Sequence, residues 1–560
     1  MPSGRTVVLS STRPGPAPMT IRLESFASAS GLSSVLTDSS RPARSNTAPD
    51  KDRRDPTEQD ELDEKGCGPR AKSQARLVVV SNRVPLPTND GSSSAGGLAV
   101  ALESALKQQG GLWFGWSGKT VDHNAGTPKI IQSGNITFAV IDLHRRDYEL
   151  YYTGFANRAL WPICHYRLDL LQIDASETEG YFRVNHRFAE ALAPLLRDDD
   201  IIWVHDYHFI PLASMLREFG FRNRIGFFLH IPWPPSDLAS ALPAYTRLLH
   251  GLAAYDVVGF HTPQDADNFR QCLIRERIGY PVGADRYQVD AHQFTIGSFP
   301  VGIDNISFAQ TAAAAERNSL VRRMRASMGD RALIIGVDRL DYSKGISQRI
   351  EAFSCFVRSN PQFRNRVTYL QVTPKSRSEV PEYRKMQRET AEQAGATNGN
   401  LGDVDWTPIR YINKTIGHTA LAGLYRMAKV GLVTPLRDGM NLVAKEYVVA
   451  QKPEDPGVLI LSRFAGAAHE LECALLVNPY DVETTATAIA RALEMPLAER
   501  RERWAVMMQR LQANGVSHWC ESFLSTLSDG SAEPADPVQT SGTPAELRAA
   551  VRFQDTHVPG

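Results

Sequence analysis

The stretch ALIIGVDRLDYSKGISQRIEAFSCFV, residues 332–357, sets the reading of the whole chain. Residues 333–337 are apolar at successive positions, so an extended strand here is greasy on both faces. That is the mark of a strand buried in a parallel sheet with helices on either side. A short polar run, 338–345, ends in Gly345, and 347–357 then carries apolar residues at helical spacing. The run holds Arg339 and Lys344, five residues apart and ahead of a helix start. A planar guanidinium fork and an ammonium point charge at the positive end of a helix form a dense anion site. The plainer alternative is a solvated loop, and its place directly after a buried strand argues against that.

The same unit recurs outward in both directions. Further strand-length runs occupy 77–80, 201–204, 225–229, 257–260, 367–372, 430–433, 458–461 and 475–477. Helical periods alternate with them at 98–109, 188–196, 212–219, 242–254, 263–277, 381–394, 420–428 and 442–450. Thr262, Pro263 and Asp265 spell a helix start. Alternation of this length predicts an α/β fold. It breaks at an Ala/Arg-rich, helical link over about 303–331, so two doubly wound, Rossmann-like domains are expected, 76–325 and 326–485, with helices over 486–528. Ligands in such folds bind at strand carboxyl ends, at switch points or facing another domain.

The balance of charges excludes whole classes of function. In 560 residues Lys plus Arg is 62 and Asp plus Glu is 62, so no global basic field exists for nucleic acid or an anionic membrane. No apolar run is long enough to span a bilayer. The six cysteines are scattered without a C-x-x-C pair, which fits a reducing cytoplasm better than a disulfide framework or zinc site. Residues 1–75 are rich in Ser, Pro, Arg and Thr, and 529–560 are similar; both are expected to be disordered tails.

Five more constellations carry chemistry. Arg83 follows the first strand, and Gly96 and Gly97 open a helix where backbone N–H groups can approach an anion. Taken alone, these residues read as a plain turn with a surface Arg. His205-Asp206-Tyr207-His208 and His230-Ile231-Pro232 end two buried strands. The two histidines at i and i+3 do not share a face and lack a third ligand, so Asp206 as an acceptor for sugar hydroxyls is the better reading. Strand 367–372 ends near Lys375 and Arg377. Strand 430–433 leads to Asp438 on a Gly turn and to Glu446 in the next helix, a pair that suits either a glycosidase or a nucleotide-sugar site. Finally, Trp113, Trp116, Tyr151, Tyr152 and Trp161 look less like core than like a sugar-stacking group on irregular, Gly-rich chain.

In this order, RLVVVSNR (76–83), SAGGLAVAL (94–102), GGLWFGWSG (110–118), DDDIIWVHDYH (198–208), NRIGFFLHIPWP (223–234), RLDYSKG (339–345), TPLRDGMNLVAKEYV (434–448) and FAGAAHEL (464–471) resemble glycosyltransferase family 20 over about 76–527. The resemblance implies a GT-B architecture with a C-terminal helix crossing back to the first domain, no metal and no cofactor. It implies transfer of glucose from UDP-glucose to glucose 6-phosphate with retention, giving α,α-trehalose 6-phosphate and UDP. Arg83, Trp116, Tyr152, Asp206 and Arg377 would form the acceptor pocket. Gly96, Gly97, His230, Arg339, Lys344, Ile416, Asp438, Met440, Asn441, Leu442, Val443, Ala444, Lys445 and Glu446 would hold the donor, with Glu446 on its ribose. Arg339, Lys344, Asp206, His230 and Asp438 would be catalytic, and Trp161 and Ile231 would bear on the acceptor's anomer. A homo-oligomer is expected. No phosphatase domain with a D-x-D-x-T signature is read, so a separate phosphatase would act downstream. The rival readings are a relative using ADP- or GDP-glucose or making glucosylglycerol phosphate, a non-catalytic regulatory member, and a glycosidase.

Overall fold

The computed structural model of the chain describes residues 75–87, 102, 103, 106, 110–123, 127–375 and 381–529. The two expected tails, apart from residues 75 and 529, lie outside the described residues, as do Gly96, Gly97 and Arg377.

All nine strand-length runs are strands, and they fall into two sheets. Among the described residues the first sheet comprises β1 (Leu77–Arg83), β2 (Gly111–Val121), β3 (Lys129–Ser133), β4 (Ile136–His144), β5 (Ile201–His205), β6 (Arg224–Phe228), β7 (Val257–Phe260), β8 (Tyr280–Pro281), β9 (Arg286–Val289) and β10 (His292–Ser298). The second comprises β11 (Ala332–Val337), β12 (Val367–Val372), β13 (Ile409–Ile412), β14 (Val430–Val433), β15 (Val458–Ser462) and β16 (Leu475–Val477). Their spatial orders are β3-β4-β2-β1-β5-β6-β7-β10-β9-β8 and β13-β12-β11-β14-β15-β16. In each, the chain winds outward on one side, returns, and winds out on the other. The switch points therefore fall between β1 and β5 and between β11 and β14, where the loops leaving the strands diverge and leave a crevice. The link between the sheets is helical, Asn305–Ala314 and Ser319–Met328.

The expectation for the aromatic group needs correcting. GLWFGWSG is not irregular chain but β2, buried through Trp116. Its glycines are there for packing: a Cβ on Gly111 would collide with the Leu77 carbonyl, and one on Gly115 with that of Ser81, both in the adjacent β1. Trp113 is 1% exposed and donates its indole N–H to Ser81 Oγ at 2.8 Å. Tyr151 and Trp161 are core as well. The helix expected at 188–196 runs earlier, over Ala175–Leu192, because Asp174 caps it by accepting from the backbone N–H groups of Ser176 and Glu177. The letters D-x-D-x-T do occur, at Asp403–Val404–Asp405–Trp406–Thr407. They follow the helix Pro381–Leu401 in a tight bridge between Asp403 and Trp406, not the end of a buried strand, so they lack the setting of a phosphatase aspartate.

The last helix among the described residues, Val516–Asp529, returns to the first sheet. Phe523 fills a slot left by two glycines: a Cβ on Gly226 of β6 would sit 2.6 Å from its ring, and one on Gly259 of β7 2.8 Å. Trp203 of β5 stacks on the same ring with centroids 4.8 Å apart.

Candidate active site

At the second sheet's switch point the loops after β11 and β14 meet. Asp341 caps the turn after β11 by accepting from the Ser343 N–H, and Gly345 takes a left-handed φ of 64° to start the helix Ile346–Ser359. A side chain at Gly345 would strike the Thr434 carbonyl beyond β14, so only glycine lets the loops close together. This brings the Lys344 ammonium onto the Asp438 carboxylate, both largely buried. Asn441 donates its side-chain amide to the same oxygen at 3.0 Å. Arg339 is exposed on the same loop.

Sequence reasoning missed the residue that holds this loop in shape. Arg349, fully buried one turn into the following helix, donates to Asp338 at 2.8 Å, to the Lys344 carbonyl at 2.9 Å and to the Thr434 hydroxyl at 3.1 Å. The available signal was an Arg among apolar neighbours on a helix behind a buried strand. A buried guanidinium needs such partners, because an unpaired buried charge is costly.

The first sheet supplies the facing wall. Asp206, directly after β5, has φ 77° and ψ 164°, a region that non-glycine residues avoid at a cost of roughly 1–3 kcal/mol. Its N–H donates to the Phe228 carbonyl at 2.8 Å, and its carboxylate accepts from the His230 N–H at 3.3 Å. His205 is fully buried, with Nδ1 3.1 Å from His230 Nε2. Burial first, and then a neighbouring imidazole, holds both rings well below the usual histidine range, so both are neutral. His261 is buried too, at about 3. The walls touch here: a Cβ on Gly439, next to Asp438, would collide with the His230 carbonyl. Arg83 pairs in register with Trp116. Tyr152 lies with its ring centroid 6.2 Å from Trp116 and stacks on His208 at 5.6 Å. Arg83 at the end of β1, Trp116 of β2 and Tyr152 thus lie together at the carboxyl end of β1.

The helix Leu442–Ala450 starts at Asn441, whose φ of 74° places its side chain to accept from the Ala444 N–H. Met440 and Ala444 are buried, and Leu442 and Val443 are partly exposed at the helix start. Lys445 offers no ammonium to a ligand: it is fully buried and donates to the Val301 carbonyl at 2.7 Å and Glu470 at 2.5 Å. Glu446 is partly exposed, and burial raises its carboxyl to about 7 against the opposing pull of Tyr425. Ile416 is partly buried in the second sheet's core. Trp161 packs on His165 and Tyr207, and Ile231 is buried beside His230. Among the described residues, no group of three or more His, Cys, Asp or Glu could hold a metal ion.

The family model for glycosyltransferase family 20 matches residues 75–529. A trehalose-6-phosphate synthase of Sinorhizobium fredii is 60% identical over 459 residues, covering 82% of this chain and 99% of that protein. A crystal structure of an α,α-trehalose-phosphate synthase (UDP-forming) from Burkholderia xenovorans, in complex with glucose-6-phosphate, superposes with a TM-score of 0.78 at 47% identity, covering 81% of this chain and all of the other. A structure from E. coli bound with UDP-2-fluoro glucose gives a TM-score of 0.78 at 45% identity, covering 81% of this chain and 99% of that one.

Proposed function

The chain belongs to glycosyltransferase family 20, and on that premise we propose that it transfers glucose from UDP-glucose to glucose 6-phosphate with retention, giving α,α-trehalose 6-phosphate and UDP. The observation that carries the reading is the contact of the Lys344–Asp438 loop pair with the His230–Asp206 wall through Gly439. That contact sets the loops carrying Arg339, Lys344 and Asp438 against the wall carrying Asp206 and His230, which supports a donor site with cations on one side and acceptors for hydroxyls on the other.

In this reading the donor diphosphate lies against Arg339 and Lys344 at the start of the helix Ile346–Ser359. Departure of UDP builds negative charge on its β-phosphate, and fixed cations beside a helix N-terminus stabilise that charge as it grows. Lys344 is already held by Asp438 and by its backbone bond to Arg349, so little reorganisation is required. The start of the helix Leu442–Ala450 would lend N–H groups, and Glu446 would accept from the ribose. Asp206, Arg83, Trp116 and Tyr152 would seat the acceptor with its anomeric hydroxyl on the face the leaving phosphate vacates. The phosphate can take the hydroxyl proton there, so catalysis is positioning and electrostatics. His230, held neutral, suits hydrogen bonding to the sugar better than proton storage, with the buried His205 behind it. We further read the enzyme as a cytoplasmic homo-oligomer whose product passes to a separate phosphatase; among the described residues, no helix is long and apolar enough to cross a membrane.

The test is a product assay with glucose 6-phosphate and a panel of UDP-, ADP- and GDP-glucose, read by mass spectrometry and by NMR of the linkage. UDP-glucose should give a disaccharide phosphate with both anomeric carbons α. Free glucose as the product would favour the glycosidase reading. Turnover only with ADP- or GDP-glucose would move the enzyme to another donor.

A further inference from the structure

A second cavity, of about 440 Å³, opens at the opposite end of the second sheet. Ala332 and Leu333 at the start of β11, Val367 at the start of β12, Lys429 ahead of β14 and Gly457 ahead of β15 all line it. The six residues of β11, at roughly 3.3 Å each, set it about 20 Å from the loop that carries Arg339 and Lys344. Six lining side chains are cationic, Arg325, Arg331, Arg366, Arg426, Lys429 and Lys452, against the single carboxylate of Asp455.

The neighbouring carboxylates are already shared. Glu316 takes both Arg426 at 3.1 Å and Lys452 at 2.8 Å, and Asp455 takes both Arg500 at 2.5 Å and Lys429 at 3.6 Å. Arg325, Arg331 and Arg366 have no carboxylate partner among the described residues. Arg331 donates only to neutral oxygens, of Asn365 and Ser327, and its Nε is buried with no partner. Burial first, and then Arg500, hold Lys429 below the usual lysine range, and Arg410, which donates to Ser327 beside the cavity, is lowered by burial and then by Arg331. Met328, Phe363 and Leu493 give the cavity an apolar floor.

We propose that this cavity is a binding site, separate from the donor cleft, for a small organic di- or triphosphate. Guanidinium forks match phosphate oxygens two at a time, and three uncompensated ones call for more than one phosphate. The volume is that of a small-molecule pocket rather than of a bare ion site, and the floor accepts an apolar or aromatic body. The site lies against the Arg-rich helix Ser319–Met328 that links the two sheets, so an anion there contacts the link directly.

The experiment is calorimetric titration of the full-length enzyme with inorganic triphosphate at low salt, without UDP, which as an organic diphosphate would compete for the same site. The expected result is a saturable binding component that is weakened at least tenfold in Arg325→Ala/Arg366→Ala and unchanged in Arg339→Ala. Both substituted residues of the double variant are exposed, and an unchanged melting temperature will show that its fold is intact. No saturable binding by the wild type overturns the proposal, as does equal affinity in the double variant. Loss in Arg339→Ala alone would place the anion in the donor cleft and also overturn it. Because the readout is binding and not turnover, it stands or falls independently of the transferase assay.

Discussion

Glu446 offers a quantitative test of the donor site. Burial lifts its carboxyl from 4.5 to about 7 in the free protein. If the ribose hydroxyls of UDP donate to it, only the carboxylate can accept both, and binding must expel the proton. At pH 7 half the carboxyls are protonated, so UDP binding should release about half a proton; at pH 6, about nine in ten are protonated and affinity should be roughly tenfold weaker than at pH 8. The stability of the unliganded fold has the opposite sign. A carboxyl whose folded pKa lies above its unfolded one stabilises the fold fully below about 4.5 and loses that contribution as pH rises through 7. Titration calorimetry of UDP in two buffers of different ionisation enthalpy gives the proton count directly. UDP's own ionisation enters every measurement, so the quantity to read is the difference between wild type and Glu446→Gln. That difference should be about half a proton at pH 7 and near zero at pH 9. An equal count in both proteins at pH 7 would refute the assignment of Glu446 to the ribose.

Arg339→Ala and Lys344→Ala should each lower kcat by roughly 10²–10³ with little change in KM for glucose 6-phosphate, because a donor aimed at developing charge acts in the transition state. Steady-state kinetics with both substrates varied will check this, and a loss confined to KM would contradict it. Turnover should survive EDTA, since the diphosphate is assigned to these two cations; loss with EDTA and recovery with a divalent metal would overturn that. Phe523→Ala should cost about 3–5 kcal/mol in a denaturant melt, because Gly226 and Gly259 leave nothing to fill the slot.

Nine of the sixteen described strands were legible, because burial on two faces writes a continuous apolar run of strand length. β3, β8 and β9, towards the two ends of the first sheet, were not: β3, for one, is exposed along its whole length and packs no apolar face. β2 was misread for a different reason. Its glycines look like loop residues, whereas here they admit the carbonyls of a neighbouring strand. At the site, Lys344 and Asp438 were visible as residues after buried strands, but their pairing is set by Gly345 and Arg349, 94 residues of chain being closed by tertiary packing alone. The strained backbone of Asp206 leaves no trace in the sequence, since aspartate is not a residue that prefers that conformation.

The slot filled by Phe523 has a consequence for synthesis. The first sheet is complete in the chain by Ser298, yet its β6 and β7 stay open on one side until the last helix emerges from the ribosome. That helix comes roughly 225 residues later, on the order of 10–45 s at ordinary translation speeds. For that interval the nascent chain carries an unfinished apolar groove around Gly226, Gly259 and Trp203, open to chaperones or to the same groove on a neighbouring ribosome. A chain shortened by its final two helices would keep every residue of the proposed cleft and remain in that unfinished state.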